Sequence, residues 1–98
     1  MIATLPTQAQ VDRIARDLAP DVVRVRLNIS HDWSNDPAIY FRVILSDEAS
    51  QGDRLADVAG RVRSKLIDEL RLDELDHISY FRFRSQSEQS ELREKAWD

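Results

Sequence analysis

His31, Asp32 and Ser34 bring together the imidazole, carboxylate and hydroxyl from which hydrolytic triads are made. They lie within four positions of one another. A triad needs its three groups to converge from separate places in the fold, so the expectation here is a turn in which Asp32 and Ser34 cap local backbone. Asp32, Asp36, Asp47 and Glu48 are the other acids grouped near turn formers, but their spacing matches no cation loop. His77 stands just before an apolar run and is expected to be an ordinary exposed histidine. The chain has no cysteine, which removes thiol catalysis, disulfides and cysteine-based zinc sites. With only two glycines it has no glycine-rich loop to cradle a phosphate. No catalytic residue, metal or cofactor is therefore expected, and the chain should act by binding rather than as an enzyme.

The informative residues are cationic and phenolic, and they recur at every second position. Arg24, Arg26 and Asn28 alternate with Val23, Val25, Leu27 and Ile29. Tyr40, Arg42, Ile44 and Ser46 alternate with Ile39, Phe41, Val43 and Leu45, while Tyr80, Arg82 and Arg84 alternate with Ser79, Phe81 and Phe83. A period of two places alternate residues on opposite faces of a sheet. One face then collects the apolar set, and the other collects Arg24, Arg26, Tyr40, Arg42, Tyr80, Arg82 and Arg84. The strand spans hold five arginines and no acid in a chain of net charge −4, so the remainder carries −9. Like charges on neighbouring strands repel, which makes such a face costly unless it meets an anion. Arginine forks match phosphate and carboxylate, and open tyrosines stack on bases. The competing expectation is internal neutralisation, with the arginines paired to acids of the first helix, the loops or the tail, such as Glu88, Glu91 and Glu94. Trp33, between the first two strands, is either tucked beneath its loop or a binding anchor.

Positioning these residues takes five elements. Residues 7–19 read as a helix, with capping-box spacing at Thr7 and Gln10, an apolar stripe of Val11, Ile14, Ala15 and Leu18, and Pro20 as its stop. Residues 22–30 and 38–46 read as strands joined by the turn-rich HDWSNDP, an antiparallel hairpin. Residues 54–72 read as the longest helix, capped by Asp53 or Ser50, with Leu55, Val58, Ala59, Val62, Leu66 and Leu70 facing inward and Gly60 permitting close packing or a bend. Residues 78–85 read as a third strand. The expected fold is α+β with order α-β-β-α-β: a fully antiparallel three-stranded sheet in spatial order 3-1-2 with both helices on one face. Residues 1–86 form one domain, and 87–98 a polar C-terminal tail that Trp97 can pin.

Composition sets the class. The chain has 98 residues, 42% hydrophobic and 33% charged, which suits a single globular domain. No apolar run approaches the roughly 20 residues of a membrane span, and MIATLPTQAQ lacks the basic start and apolar stretch of a secretory signal. A cytoplasmic setting is expected, without membrane contact.

Two resemblances add to this reading. The element order over residues 8–84, together with VAGRVRSKLIDELRL, resembles the type II KH arrangement of the ribosome-binding factor A family, and SHDWSNDPAIYFRVILSD is comparable in length to that family's first two strands. The resemblance implies a helix break at Val58, Ala59 and Gly60, with Arg61 and Lys65 near RNA. The chain departs from that family in its acidity, in FRFRSQSEQ and in the lack of a basic tail. Separately, DWSNDPAIYFRVILSDEAS and YFRFRSQSEQ resemble segments of short bacterial proteins whose genes accompany those of HEPN-domain proteins, a class that includes ribonuclease toxins. That resemblance implies the antitoxin or accessory partner of a two-gene module.

The functional expectation is thus a non-enzymatic accessory protein that binds a protein partner such as a HEPN-type toxin. The alternative is an RNA-binding or ribosome-associated module that uses the Arg/Tyr face. An open sheet edge invites pairing, so a homodimer or a heterocomplex is expected.

Overall fold

The computed structural model describes residues 4–98; the first three residues of the expected 1–86 domain lie outside the described residues. Helix α1 (Gln8–Asp17) begins as its spacing predicts. The Thr7 side chain accepts from the Gln10 backbone N–H, and the Gln10 side chain accepts from the Thr7 N–H. Val11, Ile14 and Ala15 are its buried stripe. Strands β1 (Val22–His31) and β2 (Pro37–Leu45) form the expected antiparallel hairpin. Helix α2 (Gly52–Leu70) buries Val58, Val62 and Leu66. It starts at Gln51, which makes no side-chain cap, rather than at Asp53 or Ser50, and ends on Arg71 in the left-handed conformation. The helix runs uninterrupted through Val58, Ala59 and Gly60, so the break implied by the ribosome-binding factor A resemblance is absent. Strand β3 (Ile78–Ser85) follows, and then α3 (Gln86–Leu92) with its own capping box from Ser85 and Glu88.

The molecule is α+β, but the sheet differs from expectation in order and in direction. The order is β1-β2-β3, not 3-1-2, and β3 runs parallel to β2, so the sheet is mixed rather than fully antiparallel. Two physical reasons account for this. The β2–α2–β3 connection is a helical crossover, which naturally returns the chain parallel to the strand it left. In addition, the outer edge of β1 is already occupied. The Gln8 side-chain amide donates to the Val25 carbonyl at 2.7 Å and accepts from the Leu27 N–H at 2.9 Å, satisfying two edge groups that a third strand would need. The nearly continuous apolar run of β2 takes the centre, where both of its edges are paired.

On the core face, α1 and α2 cover Val25, Val43, Phe41, Ile39 and Leu45, all essentially buried. Phe41 and Phe81 stack across the β2–β3 pair with ring centroids 5.1 Å apart. Three side chains depart in burial from the simple alternation, and one of them is Ile29, on the apolar face beyond the helices' cover at 40% exposed. A bulge between Val22 and Arg24 buries Val22 and turns Val23 outward, 41% exposed, although the period of two assigns Val23 to the core. Ile44, assigned by the same period to the polar face, is buried at 1%. The segment after β3 explains this: α3 and the short turn Lys95–Trp97 pack against the opposite face of the sheet, and Trp97 is itself only 6% exposed. Helices α1 and α2 therefore lie on one face and α3 on the other. No helix among the described residues is long and apolar enough to cross a membrane.

The Gln8 contact is testable. Gln8→Leu keeps side-chain bulk but leaves the Val25 carbonyl and the Leu27 N–H without their partner. Unfolding by urea should show a loss of about 1–2 kcal/mol with an unchanged m-value.

Candidate functional site

The register of the sheet turns the alternating pattern into rows. Arg26 stands opposite Arg42, and Arg42 opposite Arg82; two residues away Asn28, Tyr40 and Tyr80 form one row, and Arg24, Ile44 and Arg84 form the other. All seven sequence-identified sheet residues share one face. They divide, however, into two electrostatic classes.

Arg24 and Arg84 are committed internally. The Arg84 guanidinium lies over the Trp97 ring, 4.2 Å from its centroid. It donates to Glu94 Oε1 at 3.0 Å and to Gln89 Oε1 at 2.9 Å. Arg24 Nε donates to the Trp97 carbonyl at 3.2 Å, with its terminal nitrogen 3.8 Å from Asp98. Internal neutralisation by the C-terminal segment therefore holds for this row. It is Glu94 and Asp98 that carry it; Glu88 is spent on its own helix cap.

Arg26, Arg42 and Arg82 are different. Among the described residues none of the three has a carboxylate within ion-pair distance. Arg26 and Arg82 are exposed, and the half-buried Arg42 lies 5.6 Å over the Tyr40 ring. Adjacent strands sit about 4.8 Å apart, so three guanidinium-bearing side chains occupy a band about 10 Å wide with no counter-charge of their own.

The next row is organised by the hairpin loop. The Tyr40 and Tyr80 rings stack at 5.0 Å and 14°, each spending one face on the other. The Tyr80 hydroxyl donates to Asp32 Oδ2 at 2.9 Å. Asp32 Oδ1 also accepts from the Ser34 N–H at 2.9 Å, the Ser34 hydroxyl at 2.7 Å and the Asp36 N–H at 3.0 Å. These donors, the Ser34 hydroxyl first, hold the Asp32 carboxyl at about 2, and the same carboxylate pushes the Tyr80 phenol up. Asp32 and Ser34 thus form the local turn their types suggest, and neither is hydrogen-bonded to the exposed His31. Trp33, whose position the sequence left open, points outward at 93% exposure beside this buried anchor.

The remaining candidates are dispersed. Asp32 and Asp36 flank the start of β2, whereas Asp47 and Glu48 follow its end, so the nine-residue strand separates the two acidic loops. Among the described residues no grouping of three or more His, Asp or Glu is placed to hold a metal ion. Asp47 binds the backbone and hydroxyl of Ser87 and ties its loop to α3; the Ser87 hydroxyl, chiefly, lowers its carboxyl below the ordinary value. Arg61 and Lys65 face acids of the chain itself, Asp21 at 2.7 Å and Glu69 at 2.6 Å. His77 is half-buried rather than exposed, and its Nδ1 is enclosed without a hydrogen-bond partner. The sequence offered no sign of the Tyr80–Asp32 bond, because 48 positions separate the two residues.

The Asp32 turn has a pH consequence. A carboxyl depressed to about 2 from an ordinary 3.8 contributes its full stabilisation above roughly pH 4 and loses it as pH falls towards 2. In Asp32→Asn, unfolding midpoints measured across that interval should lack this part of the wild-type slope. A wild-type and variant profile that run parallel would refute the assignment. No protein-family model, no curated protein and no solved structure matches the chain.

Proposed function

We propose that the chain is a non-enzymatic binding protein that docks a protein partner on the arginine face of its sheet. The observation that carries this reading is the uncompensated row of Arg26, Arg42 and Arg82, set between a tyrosine pair and the internally occupied Arg24/Arg84 row. Such a row costs stability through like-charge repulsion, and a chain with 18 acidic side chains has ample means to neutralise it. Arginine, tyrosine and tryptophan are also the residues that dominate protein–protein hot spots, and Trp33 at the hairpin tip offers an aromatic anchor at little cost in ordering, since its loop is already pinned by Asp32. The strongly acidic remainder of the molecule repels a long polyanion but leaves room for a partner with a local acidic patch. The resemblance to proteins encoded beside HEPN-domain genes supplies the partner class: the chain is the accessory or antitoxin member of a two-gene module, working in the cytoplasm. The outer edge of β3, to which no other strand pairs among the described residues, suits a homodimer or a heterocomplex.

RNA binding is the second reading. The same three arginines beside Tyr40 and Tyr80 favour it, because guanidinium forks and aromatic rings also serve phosphates and bases.

Co-expression with the neighbouring gene product followed by affinity capture separates the two. The partner should co-purify with the wild-type chain and be lost with the triple variant Arg26→Glu, Arg42→Glu, Arg82→Glu. Trp33→Ala should weaken capture while leaving unfolding within about 0.5 kcal/mol of wild type. Absence of co-purification, combined with RNA affinity that falls steeply with salt, would overturn the protein-partner reading in favour of RNA.

A further inference from the structure

The C-terminal segment is a worked instance of what this face holds. Between Glu94 and Asp98 the chain lays two carboxylates and an indole across the row of Arg24, Ile44 and Arg84. Glu94 takes one end of the row through Arg84 at 3.0 Å, and Asp98 approaches the other through Arg24 at 3.8 Å. The Trp97 ring stacks beneath the Arg84 guanidinium, and its carbonyl accepts from Arg24 at 3.2 Å. Gln89, only 7% exposed, locks the arrangement by donating to the Glu94 carbonyl at 2.8 Å and to Asp98 Oδ1 at 3.1 Å. Residues 94–98, together with Gln89, which also accepts from Arg84 at 2.9 Å, thus satisfy one complete row of the sheet.

The neighbouring row repeats the geometry without an ion-paired occupant among the described residues. Arg26 and Arg82 stand on either side of Arg42 as Arg24 and Arg84 stand on either side of Ile44. The two rows are two residues apart along each strand, about 7 Å. The central apolar residue of the occupied row is replaced by a third guanidinium, so an occupant needs at least as many carboxylates. Beyond it lies the Tyr40/Tyr80 pair, an aromatic border against which a ring can pack in place of Ile44.

We infer that the row of Arg26, Arg42 and Arg82 accepts a short acidic segment bearing an aromatic side chain, held as Glu94–Asp98 is held one row away. This rests on the protein-partner reading above and specifies the chemistry of the partner: a stretch of about five residues with two or three carboxylates and one ring. Bidentate guanidinium–carboxylate pairing supplies the charge recognition, and guanidinium–aromatic stacking supplies the preference for a ring.

The probe is an acetylated, C-terminally amidated hexapeptide, EEAAWD, titrated into the full chain and followed by amide and side-chain NMR. Saturable shifts are expected at Arg26, Arg42, Arg82 and the two tyrosines, with the Arg24/Arg84 row unchanged. The neutral analogue QQAAWN should bind at least about tenfold more weakly, and so should EEAAWD against the Arg26→Gln/Arg82→Gln variant. Both replaced side chains are exposed and make no ion pair among the described residues, so the fold is retained. Should that variant unfold, Arg42→Lys carries the comparison, since it keeps the charge, loses the fork and must still weaken binding. No saturable binding, equal affinity for EEAAWD and QQAAWN, or shifts confined to residues outside the row would each overturn the inference. A partner that co-purifies while EEAAWD fails to bind refutes the segment chemistry alone and leaves the protein-partner reading standing.

Discussion

The pairing register of β2 is the constraint on which everything else in this molecule depends. Among the described residues it is the only strand with neighbours on both edges, and its residues set three superimposed features at once. Phe41 meets Phe81 on the core face, Tyr40 meets Tyr80 on the outer face, and Arg42 falls between Arg26 and Arg82. Because successive side chains alternate, a slip of one residue on either side would exchange the core and outer sets. The aromatic pairs on both faces therefore guard the same register, and the same register sets the three arginines in one row.

Around that register the protein manages its charge unevenly. Some acids are matched within the chain: Asp21 serves both Arg54 and Arg61, and Glu69 serves Lys65. The end of the chain covers one arginine row and buries Ile44 in doing so. That cover stops short of Arg26, Arg42 and Arg82. A cross-strand set of like charges beside a row already neutralised by the same molecule concentrates the electrostatic repulsion of the sheet on one row.

The hairpin loop joins this face to the core. Asp32 accepts from backbone and side chains of its own turn and from Tyr80, two strands away, so it fixes the loop and the outer tyrosine together. Trp33 is held out by a neighbour that is almost wholly buried. Trp33 and the arginine row are thus carried by one three-stranded sheet and by the hairpin loop that Asp32 ties to it.

The amino-acid sequence by itself determined helices α1 and α2, the hairpin and most of the membership of the two sheet faces, because capping, apolar periodicity and alternation are local properties of consecutive residues. Thr7 and Gln10, the stripe on α1, and the alternation through Arg24–Ile29 and Ile39–Leu45 were all legible in this way. Tertiary structure alone decided where β3 lies and which arginines are free. The Gln8 amide closes the β1 edge, the crossover through α2 makes β3 parallel to β2, the bulge turns Val23 outward, and Trp97 brings Glu94 and Asp98 onto Arg84 and Arg24. Each of these joins residues far apart in the chain or breaks the period of two. Local pattern carries no information about which distant group will compete for an edge, a ring or a charge.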